Sequence, residues 1–425
     1  MLLTKIKNRF FPLIIIGLVG LISCKDHQAL GAQKVQFDWV KEQPEKSTLT
    51  DEIIVGANKT NIYLPYLKGK RVGIVANQTS VIFKNSNLPA TEINNYTHIV
   101  DSLLALNVNL KKVFAPEHGF RGIVDAGELV KDGVDTKTNT QIISLYGKNK
   151  KPSLKILDDI DVMLFDIQDV GARFYTYIST LHYVMEACAE LNIPLIILDR
   201  PNPNGHYIDG PTLDAEYKSF VGMHPIPVVH GMTIGEYAQM INGESWLEKN
   251  LECEIIIIQM DNYTHTKSYS LPIKPSPNLP NDLAINLYPS LCFFEGTNVS
   301  AGRGTSQQFQ IYGSPFLNPK VYNFTFRPSP NIGAKNPKHN GKVCYGEELD
   351  STDKINYINL KYLIEAYANT GNKDDFFNDY FDTLAGTDVL QRQVRSEMSE
   401  REIRSSWKSE LDNFEKLREQ YLLYK

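Results

Sequence analysis

Two short stretches of this chain concentrate the side chains that carry acid–base chemistry. Residues 113–122 read VFAPEHGFRG and residues 164–177 read LFDIQDVGARFYTY, so each is an apolar run followed by acids, amides, bases and aromatics. Because the carboxyl ends of parallel strands bind ligands in α/β proteins, the two ends predict one shared polar pocket. The residues predicted for this pocket are Glu117, His118, Arg121, Asp166, Gln168, Asp169, Arg173 and Tyr175.

Glu117 is the residue best placed for proton transfer. It follows a predicted strand and Pro116, and it shares a tight turn with His118 and Arg121. A carboxyl group at the mouth of a strand suits general acid catalysis when it is partly desolvated. The competing interpretation is a loop glutamate in a surface ion pair, and the shared turn favours the functional one.

Further polar clusters at predicted strand ends have structural explanations that compete with ligand binding. One of Asp166 and Asp169 could cap a following helix, and Asp169 is the better candidate for that role. Asp199 could simply pair with Arg200, and a lone histidine such as His230 is more often structural. The binding candidates outside the two stretches are Asn77, Asp199, Arg200, Asn202, His230, Asn278, Glu295, Asn298 and Arg303.

Alternating strand and helix patterns position these residues. A 3.6-residue apolar period between Phe174 and Cys188 predicts a helix that starts near residue 172. Strands that alternate with helices predict a parallel sheet with helices on both faces. The predicted strands are 71–76, 112–115, 141–146, 161–165, 194–198 and 254–258. The other predicted helices are 97–106, 152–160, one that begins after Thr233, 360–368 and 400–424.

The pattern changes after about residue 266, where prolines and glycines interrupt regular structure. We interpret residues 51–265 as one α/β domain and residues 266–425 as a smaller mixed α/β domain. Asn278, Glu295, Asn298 and Arg303 lie in the glycine- and proline-rich part of the second domain. Together they predict the second wall of a cleft between the two domains.

The N-terminus has the features of an export signal. Basic residues precede an apolar run, 10–23, that is too short to span a membrane and ends in LISC with Cys24. This end resembles a bacterial lipobox, which implies acylation of Cys24, a lipoprotein signal peptide over residues 1–23 and a tether over 24–50. The alternative is an ordinary secretion signal with an incidental cysteine. The expected location is the bacterial cell envelope, at the periplasmic face or the outer surface.

Composition and missing motifs exclude several classes of function. The 425 residues are 42% hydrophobic and 22% charged, and a net charge of −5 without a long basic run disfavours nucleic acid as a partner. There is no G-x-G-x-x-G, P-loop, G-x-S-x-G, HExxH or zinc-type Cys/His spacing, which disfavours a dinucleotide or a metal. A cleft rich in carboxylates, amides, tyrosines and arginines fits a carbohydrate. The pairing of Cys188, Cys253, Cys292 and Cys344 is left open.

Seven sequence blocks carry a specific resemblance. They are GKRVGIVANQT at 69–79, FAPEHGFRG at 114–122, FDIQDVGARFYTYI at 165–178, LDRPNP at 198–203, HGMT at 230–233, PSPN at 275–278 and EGTN at 295–298. In this order they resemble the NamZ-type exo-β-N-acetylmuramidases, and the match runs from about Val55 to the C-terminus. The resemblance implies a Rossmann-like domain, a smaller C-terminal domain and an active site in the cleft between them.

The resemblance also implies an activity. It implies removal of terminal β-linked N-acetylmuramic acid from the non-reducing end of peptidoglycan fragments during cell wall recycling, with no required cofactor. Glu117 matches the family's best catalytic candidate, and we expect it to be the general acid. The second group is Asp169, Asp166, His118 or Glu295, in that order of preference, or the substrate's own 2-acetamido group. The lactyl carboxylate of the substrate would be bound by Arg121, Arg173 or Arg303.

Three other functions stay open from the sequence. A non-catalytic lipoprotein that captures muropeptides or sugars would have the same cleft and anchor. A glycosidase for another amino sugar would lack the contact between an arginine and the lactyl carboxylate. A metal-dependent hydrolase would lose its activity in the presence of a chelator.

Overall fold

A computed structural model describes residues 51–84, 95–121, 131–350 and 353–425. The predicted signal peptide, Cys24 and the tether lie outside these residues. Within the described part, the strands are β1 (Val72–Ala76), β2 (Val81–Phe83), β3 (Tyr96–His98), β4 (Leu110–Ala115), β5 (Gly133–Val134), β6 (Gln141–Ser144), β7 (Val162–Asp166), β8 (Leu195–Leu198), β9 (Asp209–Thr212), β10 (Pro227–Val229), β11 (Ile255–Ile258), β12 (Ile311–Ser314), β13 (Phe324–Phe326) and β14 (Cys344–Glu348).

Helices connect and cover these strands. They are α1 (Thr60–Leu67), α2 (Ile99–Ala105), α3 (Leu154–Leu157), α4 (Tyr177–Leu191), α5 (Ile234–Gly243), α6 (Asp282–Leu291), α7 (Lys361–Ala368), α8 (Tyr380–Ala385), α9 (Val389–Arg395) and α10 (Glu400–Arg418). None of the helices in the described ranges is long and apolar enough to cross a membrane.

The main sheet has the strand order of a doubly wound α/β fold. Its order is β11-β8-β7-β1-β4-β6-β5, and all neighbours pair in parallel except β5, which runs antiparallel to β6. The chain winds outward from β1 through β4 to β6, then returns to the other side of β1 and winds through β7 and β8 to β11. The order therefore reverses beside β1, and a crevice forms there at the carboxyl ends of the strands.

Both faces of this sheet are covered, as the apolar strands predict. Successive residues of β7 point to opposite faces, so that Met163 and Phe165 join one core while Val162 and Leu164 join the other. The core containing Val162 is closed by α1 and α2, and the one containing Met163 by α4, α5 and the C-terminal helices. The prediction of a parallel sheet with helices on both faces is confirmed.

The C-terminal part adds a smaller antiparallel sheet with the order β12-β14-β13. Two-stranded ladders β2–β3 and β9–β10 complete the sheets among the described residues. The predicted mixed α/β character of this part is confirmed, and its helices share one continuous core with the main sheet across residue 265. A domain boundary near residue 265 stays a prediction.

Two helix boundaries differ from the sequence prediction. The helix predicted from residue 172 begins instead at Tyr177. Residues before it are held as a loop, because Ala172 forms a bridge with Val229 and the Arg173 amide donates to the Val228 carbonyl at 2.7 Å. The last helix ends at Arg418 and continues only as a short 3₁₀ turn, Glu419–Tyr421, rather than reaching residue 424.

Candidate active site

A cleft of about 570 Å³ opens at the carboxyl ends of the parallel strands. One part of its lining comes from the segments that follow β4, β6 and β7, another from residues 219–221, and the rest from residues beyond 265. A volume of this size lies within the range of about 300–1,000 Å³ that is usual for small-ligand sites. The polar and charged lining residues are Glu117, His118, Tyr146, Lys150, Tyr175, Thr176, Ser219, Ser276, Asn278, Tyr288, Glu295, Arg303, Tyr380 and Thr383.

Glu117 projects from a tight turn directly after β4. The Gly119 amide closes the turn on the Pro116 carbonyl at 3.0 Å, and His118 has a φ of 67°. A positive φ is unusual for a residue other than glycine, and such conformations concentrate at functional sites. The turn leaves Glu117 half-buried in the cleft lining, and His118, which also lines the cleft, is more deeply buried.

Two hydroxyl groups orient the carboxylate of Glu117. The Thr176 hydroxyl donates to its Oε2 at 2.6 Å, and the Tyr146 hydroxyl forms a second hydrogen bond to the same side chain. Burial and the neighbouring carboxylate raise the pKa of Tyr146 above its ordinary value, so this phenol is a donor at any physiological pH. The carboxylate is therefore fixed in direction at the edge of the cleft, which is what proton transfer to a bound ligand requires.

A second carboxylate, Glu295, lines the same cleft. It lies in a 3₁₀ turn, Cys292–Gly296, and its Oε1 accepts from the Arg303 guanidinium at 3.1 Å. Arg303 also donates to the Gly333 carbonyl, which accepts from the Asn278 amide at 2.6 Å. Glu295, Arg303 and Asn278 thus form one linked polar group in the cleft lining, whereas Asn298, the fourth residue predicted for this wall, does not line the cleft.

Aromatic side chains and a cation form much of the remaining surface. Phe174 packs edge-to-face on Tyr288 at 5.3 Å, and Tyr175 is held by a hydrogen bond to the Pro275 carbonyl at 2.9 Å. The Lys150 ammonium lies 4.6 Å from the centre of the Phe220 ring. Aromatic faces with hydroxyl, amide and carboxylate groups around them suit a sugar that carries an anionic substituent.

Asp166 and Arg200 do not line the cleft. They form a buried two-point ion pair, with Arg200 Nε 2.6 Å from Asp166 Oδ1 and Nη2 3.0 Å from Oδ2. Arg200 also donates to the Val81 carbonyl. Because Nε and Nη2 of this guanidinium are directed to Asp166 and the Val81 carbonyl, the pair organises the strand ends rather than presenting charge to a ligand.

Asp199 has a structural role different from the expected pairing with Arg200. Its carboxylate accepts from the Gly235 amide at 2.9 Å and from the Thr233 hydroxyl at 2.7 Å at the start of α5. The Tyr424 hydroxyl donates to it as well, at 2.7 Å. Burial raises the pKa of Asp199 to about 6. Asp199 does not line the cleft, and the alternative of an ion pair with Arg200 is wrong, because the Arg200 guanidinium is engaged by Asp166.

Asp169 and His230 are buried side by side away from the cleft lining. Asp169 Oδ2 accepts from the Gly171 amide at 2.7 Å, within the loop and well before the helix that it was expected to cap. His230 Nε2 lies 3.9 Å from that oxygen. Burial raises the pKa of Asp169 to about 7 and lowers that of His230 to about 3. Each of these pKa shifts favours the neutral form of the group.

Arg173 and Arg121, two of the three arginines predicted to bind a carboxylate, are engaged elsewhere. The Arg173 side chain is fully buried and donates to four backbone carbonyls. Arg121 pairs with Asp135 at 2.7 Å outside the cleft. Neither lines the cleft described above.

The remaining predicted residues hold loops together. Asn77 donates to the Tyr177 hydroxyl at 2.9 Å, and Gln168 donates to the carbonyls of Asp169 and Pro201. Asn202 donates to the Met232 carbonyl at 2.9 Å, and the Asn298 carbonyl accepts from Ser314 at 2.8 Å. The predicted residues that line the cleft are Glu117, His118, Tyr175, Asn278, Glu295 and Arg303.

Several residues that line the cleft were not predicted from the sequence. Tyr146 follows a predicted strand, and Thr176 lies inside the second polar stretch, so strand-end position was a usable signal for both. Lys150, Phe220 and Tyr380 lie in segments without a recognisable pattern, and only folding brings them to the cleft.

No metal site is evident in the described part of the chain, where no group of three or more His, Cys, Asp or Glu side chains is arranged to hold an ion. Cys188, Cys253, Cys292 and Cys344 are all buried and free.

Comparisons with known proteins agree over most of the described chain. Residues 72–283 match the family model "Exo-beta-N-acetylmuramidase NamZ, N-terminal", and residues 286–424 match its C-terminal counterpart. A Bacillus subtilis (strain 168) protein, "Peptidoglycan beta-N-acetylmuramidase NamZ", is 37% identical over 427 residues, which cover 96% of this chain and 98% of that protein.

Two crystal structures of DUF1343 family proteins from Bacteroides fragilis NCTC 9343 are similar as well. One is 45% identical, with a TM-score of 0.78, and the match covers 88% of this chain and 99% of the other. The second is 28% identical, with a TM-score of 0.72, and covers 89% of this chain and all of the other.

Proposed function

This chain belongs to the exo-β-N-acetylmuramidase NamZ family, and we propose that it hydrolyses terminal β-linked N-acetylmuramic acid from the non-reducing end of peptidoglycan fragments. The observation that carries the proposal is the cleft itself. Two carboxylates, Glu117 and Glu295, line it in a chain of this family. Glycoside hydrolysis usually needs two such groups, one to protonate the leaving oxygen and one to assist at the anomeric centre.

Glu117 is assigned as the general acid. The glycosidic oxygen takes the proton of its carboxyl group as the bond from that oxygen to the anomeric carbon breaks, and the sugar develops oxocarbenium character. Thr176 and Tyr146 hold the carboxyl group in place for this transfer. A positioned general acid contributes about 10²–10⁴-fold to a rate, so the loss of Glu117 should be severe.

Glu295 is assigned as the second group. Of the four candidates considered from the sequence, Asp166 and Asp169 do not line the cleft, while His118 and Glu295 do. Glu295 is the carboxylate of the remaining pair, and Arg303 fixes its orientation. It would either take a proton from the attacking water or accept a hydrogen bond from the substrate's 2-acetamido N–H while that group attacks the anomeric carbon.

Lys150 is assigned to the lactyl carboxylate of the substrate. Arg121 and Arg173 lie outside the cleft, and the charge of Arg303 is compensated by Glu295. Lys150 lies over Phe220 at the cleft, where a sugar ring and its substituent would lie together. Lys150→Met should therefore raise the KM for a β-N-acetylmuraminide about tenfold and change its kcat much less, as expected for one charge-assisted contact to the bound substrate. An unchanged KM would contradict this assignment.

The activity is tested with chromogenic β-N-acetylmuraminide and β-N-acetylglucosaminide. We expect the protein to cleave only the β-N-acetylmuraminide. In Glu117→Gln, kcat should fall about 10²–10⁴-fold when the leaving group is a sugar. The loss should shrink when the leaving group is a nitrophenol, because a weakly basic leaving group needs little protonation. Glu252→Gln, at an exposed position, is the matched control.

Other outcomes point to other functions. If the folded protein cleaves neither substrate and Glu117→Gln still binds muropeptides, the chain is a binding lipoprotein. Cleavage of the glucosaminide at an equal rate indicates a glycosidase for another amino sugar, and loss of activity with a chelator indicates a metal-dependent hydrolase.

We also propose that Cys24 is acylated and anchors the protein in the cell envelope. The basic residues, the short apolar run and the LISC ending support this proposal. Incorporation of radiolabelled palmitate into the wild-type protein and not into Cys24→Ala is the expected result. Equal release of both proteins in soluble form would contradict the anchor.

A further inference from the structure

The ammonium group of Lys338 lies inside the protein next to the wall that carries Glu295. Its Nζ donates to the carbonyl oxygens of Phe294 at 2.9 Å and Val299 at 3.0 Å, and also to that of Thr297. All three N–H donors of the ammonium are thus engaged by backbone carbonyls. A buried charge is costly unless it is well hydrogen-bonded, so this arrangement calls for an explanation beyond packing.

The three carbonyls belong to the segment that holds Glu295. One precedes Glu295 and two follow it, so Lys338 ties both sides of this residue to a single point. Neighbouring carbonyls are also held from outside the segment, because Asn298 accepts from His339 at 2.6 Å and Gly296 from the Asn378 amide at 3.0 Å. The direction of Glu295 therefore depends on groups distant in the sequence, among which Lys338 makes the most bonds.

We propose that Lys338 is a positioning residue that fixes the turn bearing Glu295, and that only its charged form does so. The proposal rests on the assignment of Glu295 as the second catalytic group. A neutral amine has two N–H donors instead of three, so deprotonation leaves one of the three carbonyls without its partner. The turn then loosens, and Glu295 loses its direction towards the substrate.

The charged groups around Lys338 make this change accessible at moderately alkaline pH. Burial, with a smaller contribution from Arg303, lowers the pKa of Lys338 to about 8, although Glu295 opposes the shift. His339 also faces this region, and burial lowers its pKa, so that it is neutral throughout the alkaline range. Arg303 keeps its charge there. Lys338 is therefore the group near this turn that changes charge between neutral and alkaline pH.

The test compares Lys338→Met, Lys338→Arg, Glu295→Gln and the exposed control Lys342→Met on the chromogenic muraminide. We expect Lys338→Met to lower kcat at least tenfold with KM changed less than twofold, and Lys342→Met to behave as wild type. Lys338→Arg should recover much of kcat, since an arginine supplies several donors and stays charged. Wild-type kcat in a folded Lys338→Met protein would overturn the proposal.

A pH series supplies a readout that a merely structural role would not move. The ratio of the wild-type kcat to that of Lys338→Arg cancels the titration of the general acid, which both proteins share. We expect this ratio to fall severalfold as the pH rises through the pKa of Lys338. A ratio independent of pH would overturn the requirement for the charged form. If neither variant folds, the wild-type protein can be tested alone on a dinitrophenyl substrate. The requirement for the charged form is then overturned when kcat does not fall as the pH rises through the pKa of Lys338.

Glu295→Gln separates this proposal from the proposed function. If Glu295→Gln is inactive and Lys338→Met is normal, only the positioning role fails. If Glu295→Gln is fully active, the assignment of Glu295 fails, and the positioning role fails with it.

Discussion

Replacing Arg173 by methionine should destabilise the protein strongly without removing a substrate contact. The guanidinium is fully buried, and its Nη1 donates to the Pro211 and Ile226 carbonyls at 2.8 and 2.7 Å. Its Nη2 donates to the carbonyls of Leu384 and Ala385 at 3.2 and 2.6 Å. One side chain thus joins the β9–β10 region to α8, which carries the cleft residues Tyr380 and Thr383.

The magnitude follows from two opposing contributions. Each hydrogen bond to a charged group stabilises by about 1.5–3 kcal/mol, so four of them contribute roughly 6–12 kcal/mol. Burial lowers the pKa of Arg173 from 12.5 to about 9, and that shift corresponds to an unfavourable contribution of about 5 kcal/mol, which methionine does not have. We therefore expect Arg173→Met to lower the free energy of unfolding by about 4 kcal/mol.

Urea unfolding of the purified protein, followed by circular dichroism, measures this difference. Arg401→Met, at an exposed position of α10, is the matched control and should change stability by less than about 0.5 kcal/mol. Arg173→Lys keeps the charge but has fewer N–H donors, so its free energy of unfolding should lie between those of Arg173→Met and the wild type. If Arg173→Met unfolds like wild type while its KM for a muraminide rises tenfold, the guanidinium contacts substrate and the reasoning is refuted.

Three further predictions concern the loop after β7 and the Glu117 turn. Asp169→Asn should change the pH dependence of stability. The native pKa of about 7 exceeds the unfolded value of 3.8, so native Asp169 retains its proton between these values and wild-type stability falls as pH rises through that window. Urea unfolding at pH 4 and 7.5 should show Asp169→Asn gaining up to about 4 kcal/mol relative to wild type between the two pH values, and a constant difference would contradict this. Gly171→Ala should lower the free energy of unfolding by at least about 2 kcal/mol, because φ of Gly171 is +77° and the added Cβ would lie 2.2 Å from Asn202 Oδ1. Thermal unfolding measures this loss, and unchanged stability would show that the loop adapts. Tyr146→Phe should lower kcat about tenfold by removing one hydrogen bond to Glu117, with the exposed Tyr357→Phe as control, and an unchanged kcat would show that Thr176 alone suffices.

Asp199 shows that a polar residue at the end of a strand need not face the cleft. The sequence places Asp199 after an apolar strand, as it does Glu117, and both were candidates for the pocket. In the fold, Asp199 is covered by Tyr424, which lies 225 residues further along the chain, and by the first turn of α5. A local pattern identifies a polar strand end and carries no information about which distant segment covers it.

Local patterns in the sequence determined the strands and most helices of the main sheet, because apolar periodicity depends on neighbouring residues. They also placed Glu117 at a strand mouth and, through the seven blocks, determined the family. The tertiary structure alone decided which polar groups face the cleft. It brought Glu295 and Lys150 into the same cleft as Glu117, and it buried Asp169 and Arg173. Burial and charge pairing depend on contacts between residues far apart in the chain, and those contacts exist only after folding.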